Sequence, residues 1–185
     1  MYRWNFLFWV IILTTGFTTY PKADDEAGPY AYVVTAQWGR YYFKMSPDPK
    51  DPYDHEKGVG VAYSVSPKGV DQELWKTEGW YAFQTYLSSD GRHLIRLGNW
   101  PRGHAPSKDH LAVAFYEDGK LLKAHSTLDL IRNLSKVRPS VSHYQYYKVT
   151  PNFKPNPQEF SLITVDDIEY TFDIKTGKIT HQKQL

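Results

Sequence analysis

The sequence predicts an all-β fold of antiparallel hairpins, and three observations carry that prediction. Two Asp-Gly pairs, Asp90-Gly91 and Asp118-Gly119, stand between apolar runs in the middle of the chain. This is the strongest short-range hairpin signal, because Gly supplies the positive φ that tight hairpin turns need. Aromatic residues make up 16% of the chain, with 15 Tyr and 6 Trp, and most fall within strand-like runs. Near the C-terminus Ile168, Tyr170, Phe172 and Ile174 alternate with Glu169, Thr171 and Asp173, which places one face in a core and the other in water.

The elements follow in chain order. Residues 1–23 open with the basic lead Met1-Tyr2-Arg3 and the apolar run Trp4–Leu13, interrupted by Asn5, and are read as a signal peptide or N-terminal anchor. The run is shorter than the roughly 20 apolar residues a spanning helix needs, which favours export with cleavage over an uncleaved anchor. Residues 24–29 are acidic, small and proline-terminated, a flexible leader. Residues 30–185 form a single β domain, a size at which one core suffices. Strands are expected at 31–36, 40–45, 59–65, 70–77, 80–87, 92–98, 111–116, 120–125, 141–149, 159–165 and 168–174, with a short last strand after Gly177. Two long connections interrupt them, the proline- and aspartate-rich 46–58 and the polar 99–109, and a proline-rich link covers 150–157. The one helix expected, near 127–133, rests on Ser126 followed three residues later by Asp129, a capping-box spacing.

Composition excludes several functions. Net charge is +2 with no block of like charges, so there is no electrostatic footprint for nucleic acid. The absence of Cys removes disulfides, Cys-zinc sites and thiol chemistry together.

Glycine turns recur at Gly39, Gly69, Gly91, Gly119 and Gly177. The run Ser89-Asp90-Gly91-Arg92-His93-Leu94, with Ser88 before it, resembles the serine-x-aspartate-glycine-basic turn of TolB-type and WD40-like propeller blades. The resemblance covers a few residues per repeat, and the repeat spacing drifts. About four blades are the lower limit for ring closure, so it implies a partial propeller or a twisted sandwich rather than a closed ring. In general character the chain is similar to small secreted bacterial proteins, a likeness that transfers no activity.

Candidate chemistry gathers in the connection 99–109. Trp100 offers a flat apolar face, Arg102 a fixed fork for a carboxylate or phosphate, and His104 a switchable donor, with His110 at its far end. Pro101 and Pro106 restrict the unfolded chain, which favours one held shape for a loop longer than hairpin closure requires. Metal ligation is not expected, since His104 and His110, six apart, match no ligand spacing, and no cofactor motif is present. Asp54, Glu56, Asp90 and Asp109 read first as turn formers. Tyr144, Tyr146 and Tyr147 read as sheet partners before they read as a ligand platform.

The expected function is therefore an exported, non-catalytic binding or interaction module of the cell envelope, secreted or periplasmic. Its partner would be a protein, peptide or carbohydrate that meets Trp100, Arg102, His104 and His110, with membrane contact only if the N-terminal segment is uncleaved. The competing expectation is a hydrolase or metal-dependent enzyme using His104, His110 and a carboxylate. Export has a direct check: N-terminal sequencing of protein recovered outside the cytoplasm should start between Phe17 and Asp24, whereas an intact Met1 on cytoplasmic protein would refute it.

Overall fold

The computed structural model describes residues 27–154 and 156–185. The expected signal or anchor, and the leader as far as Glu26, lie outside the described residues. The first sheet comprises β1 (Tyr32–Thr35), β2 (Tyr41–Ser46), β3 (Val59–Ser64) and β4 (Gln72–Glu78). The second comprises β5 (Thr85–Leu87), β6 (His93–Leu97), β7 (Leu111–Glu117) and β8 (Lys120–Ser126). After α1 (Thr127–Leu130), the third comprises β9 (Tyr147–Phe153), β10 (Glu159–Thr164), β11 (Ile168–Asp173) and β12 (Ile179–Gln184). Each sheet is an antiparallel meander of consecutive strands. Three successive four-stranded meanders are the blade arrangement of a propeller, present here as a partial one.

The second sheet is the middle layer, and its residues show why. Along β7, Val113 and Phe115 belong to the core shared with the third sheet, while Ala114 and Tyr116 belong to the core shared with the first. Leu94 and Ile95 of β6 divide in the same way. A strand buried on both faces reads as a continuous apolar run rather than an alternating one, which is the pattern of Leu111–Tyr116. The third sheet has one core face, and β11 alternates accordingly, with Ile168, Tyr170 and Phe172 in the core and Glu169 outside it.

The Ser88–Gly91 turn is pinned by its own side chains. Asp90 accepts a hydrogen bond from Ser88 Oγ, one from the Arg92 N–H (2.9 Å) and one from His93 Nδ1 (2.8 Å). Gly91 sits at φ 71°, and a Cβ there would lie 2.6 Å from the Tyr41 ring, so the first sheet packs directly on bare backbone. Trp75 Nε1 donates to the Gly91 carbonyl (2.8 Å) and ties the two blades together. A similar device recurs in the third blade, where Thr164 Oγ1 donates to Asp166 (2.6 Å) and Asp167 takes the positive φ, at 64°.

Several boundaries differ from expectation. The helix closes with its capping box as expected but ends at Leu130 rather than near 133. The N–H groups of Arg132 and Asn133 donate instead to Asp166 (2.8 and 2.9 Å), and the Leu130 carbonyl accepts from Tyr170 Oη (2.5 Å). Trp80–Gln84 leave the sheet, so β5 is only three residues long. The expected strand 141–149 is replaced by β9, which starts at Tyr147 and runs through Pro151. Proline is tolerated there because β9 is an edge strand of its sheet.

Burial alone would raise the Asp90 carboxyl, but the bonds from His93, Ser88 and the Arg92 N–H outweigh it and hold the group well below the usual carboxylate range. A folded pKa below the unfolded one contributes stability that is complete above the unfolded value and is lost as pH falls toward the folded value. Asp90→Asn should cost about 1–3 kcal/mol at neutral pH. Below about pH 4, the ordinary range for aspartate, the variant should lose less further stability than the wild type. Urea titrations of both proteins across this range check the prediction, and equal acid sensitivity would contradict it.

Candidate functional site

The edge strands β1, β5 and β9 belong to three different sheets, and the segments that lead into them meet around one cavity. Its volume is about 580 Å³. Its lining comes from Ala27 and Tyr30 before β1, Phe83 and Gln84 before β5, residues 98–101 after β6, and residues 138–140 and 143–147 before and at the start of β9. A smaller cavity of about 250 Å³ shares Trp100 and His143 with it and adds Arg102 and Ser142.

The walls are fixed by buried phenols. Tyr144 and Tyr146 are 1% and 3% exposed and serve as anchors for the segment that carries them. Tyr144 Oη lies 2.7 Å from Thr127 Oγ1 and 2.9 Å from His110 Nδ1. Tyr146 Oη donates to the carbonyls of Ala112 (2.9 Å) and Gly98 (3.1 Å). Tyr147 Oη donates to Gln84 Oε1 (3.0 Å) and joins the third blade to the second at the cavity. Burial raises the pKa of Tyr144, Tyr146 and Tyr147, so all three hydroxyls stay protonated at neutral pH. Gly98 is needed where β6 turns toward the cavity, since a Cβ there would fall 1.7 Å from the Leu111 carbonyl oxygen.

The two long connections are brought together at their roots. Asn99 Oδ1 accepts from the Phe83 N–H (3.1 Å), while its Nδ2 donates to the Tyr81 carbonyl (2.9 Å) and lies 3.1 Å from His55 Nδ1. The Tyr81 N–H in turn donates to the His55 carbonyl (2.8 Å). Further along, the 99–109 loop is zipped to residues 142–144. Arg102 and His143 form an antiparallel bridge, Gly103 N donates to Ser142 O (2.9 Å), and Tyr144 N donates to Pro101 O (3.3 Å). The Trp100 ring lies 4.2 Å from the His143 ring at 39° between planes. Ser140 Oγ and Ser142 Oγ each sit 3.1 Å from His143 Nδ1, which sets the orientation of the imidazole.

The four residues singled out from the sequence take different positions. Trp100, 44% exposed, lines both cavities, and Arg102 lines the smaller one. His104 is exposed and lines neither. His110 also lines neither, and its ring turns to the Tyr144 hydroxyl. Among the described residues no group of three or more His, Asp or Glu side chains could hold a metal ion. The candidate carboxylates stay in turns: Asp54 pairs with Lys57 (2.6 Å), Asp90 holds its hairpin, and the Asp109 N–H donates to Ser107 Oγ (3.1 Å). Sequence reasoning passed over Arg138 and Gln84 as lining groups and weighed His143, with Tyr144, Tyr146 and Tyr147, as a ligand platform second to sheet packing. Their one signal, the concentration of Tyr144, Tyr146 and Tyr147 next to a proline, also fits sheet packing.

No protein-family model matches the sequence, and no curated protein matches it either. Among solved structures, the chain is similar in fold to the periplasmic gluconolactonase of Pseudomonas aeruginosa, at 19% identity and TM-score 0.45 over 77% of this chain and 39% of that one. It is also similar to the C-terminal WD40 domain of Sif2, at 10% identity and TM-score 0.40 over 87% of this chain and 39% of that one. The chain thus spans about two fifths of the length of each of these neighbours.

Proposed function

We propose that this protein is an exported, non-catalytic binding module of the cell envelope, and that it holds a carbohydrate in the cavity where the three blades converge. One observation carries the reading: Trp100 is held in place by His143 yet keeps an open face toward both cavities. Elsewhere the large cavity alternates apolar ring faces, such as Phe83 and Tyr147, with amide and hydroxyl groups such as Gln84, Gln145 and Ser140. A pyranose ring has the complementary surface, with C–H faces to lie on aromatic rings and hydroxyl edges to meet polar groups. The volume falls within the roughly 300–1,000 Å³ of small-molecule sites. Among the described lining residues there is no carboxylate to serve as the paired acid and base of glycoside hydrolysis. Export rests on the basic lead and the Trp4–Leu13 run.

Trp100→Ala should remove most binding to a saccharide array while leaving the thermal midpoint within about 1 kcal/mol of wild type, as suits a half-exposed side chain. His104→Ala, outside both cavities, should bind as wild type does. Undiminished binding by the Trp100 variant would contradict the assignment.

A further inference from the structure

We infer that the saccharide held in this cavity is acidic and that Arg138 reads its carboxylate, an inference that rests on the binding reading above. Among the described residues that line the large cavity, the one that carries a formal charge is the exposed residue Arg138, with its guanidinium. Among the described residues that guanidinium makes no ion pair or hydrogen bond with the protein, in contrast to Arg92, which is paired with Glu117 and Asp118. A positive charge at a cavity whose described lining holds no acid favours an anion over a neutral ligand of the same shape, and the planar fork of Arg suits a carboxylate in particular.

The backbone that carries Arg138 is pre-set. On one side the Val137 N–H closes a 3-10 turn onto the Leu134 carbonyl (3.2 Å). On the other, Pro139 bridges Tyr144, whose ring is one of the buried anchors. A residue before proline is confined to extended backbone, so Arg138 has little main-chain freedom to lose when a ligand arrives. Arg102 lines the smaller cavity and has an interaction of its own there. Trp100 and His143 are common to both cavities, so a ring stacked on Trp100 lies in the same cavity as Arg138. A saccharide that carries a carboxylate matches this layout, whereas a neutral one leaves the Arg138 charge without a counterpart.

The test is calorimetric titration of the mature chain with trisaccharides of galacturonate and of mannuronate beside galactotriose and mannotriose. In the wild type the uronates should bind about tenfold or more tightly than their neutral counterparts, the scale of a charge-assisted hydrogen bond. Raising salt from about 0.02 M to about 0.2 M should weaken the uronates alone, because screening acts on the charged pair. Arg138→Gln should erase the preference, bringing the uronates down to the level of their neutral counterparts, and Arg138→Lys should restore part of it. Equal binding of acidic and neutral sugars by the wild type, or a preference that survives in Arg138→Gln, overturns this inference and leaves the binding module standing. If no sugar of either kind binds, the binding reading fails and this inference with it.

Discussion

The structure depends on the burial of one sheet from both sides. β7 sends alternate side chains into two separate cores, so the first and third blades are fixed through the second. The cost of altering such a strand is correspondingly high. Truncation of Phe115, which packs on Phe160, Phe172 and His125, would remove about 3–5 kcal/mol by the usual measure of large-to-small core changes. Two-sided burial also decides where the edge strands go. With the second sheet in the middle, β1, β5 and β9 lie at neighbouring edges, and the segments entering them border one cavity.

A cavity among rings would collapse or fill with competing polar groups unless its walls were held. Here the holding is done by buried hydroxyls and one amide, each satisfied. Tyr144 spans to the helix start and to His110, Tyr146 bridges two carbonyls at the exit of β6, and Asn99 joins three segments through one side chain. A buried polar group with a partner specifies one arrangement, because the alternative arrangements leave it unpaired at a cost of about 1–3 kcal/mol. The high tyrosine content thus has two uses. The rings fill the cores, and their hydroxyls tie segments together through backbone carbonyls, as in Tyr146 and Tyr170, or through side chains, as in Tyr144 and Tyr147. Trp38 follows neither rule, since it is 82% exposed at φ 75° on the β1–β2 turn and nothing in the structure accounts for it.

Local order was legible in the sequence wherever the chemistry is local. The Asp-Gly hairpins, the alternating β11, the capping box at Ser126 and the long connection 46–58 depend on residues a few positions apart, whose turn and pleat preferences act before any tertiary contact forms. The resemblance to propeller blades had the same origin, because the Ser88–Gly91 turn is closed by its own side chains. Boundaries failed where a distant group intervened. Asp166 takes two N–H groups from the end of the helix, and Pro151 sits in a strand because that strand lies at an edge.

By itself, then, the sequence determined the class of fold, the hairpin order and the loop in which Trp100 and Arg102 stand, since these follow from periodicity and turn residues. The tertiary structure alone decided which side chains line the candidate cavities. It left His104 and His110 outside both and placed His143 and Arg138, from some 40 residues further along the chain, beside Trp100 or in the same lining. The physical reason is that a cavity is made by the ends of several strands at once, and no local pattern records which ends will meet. That is settled when two cores close on the two faces of one sheet.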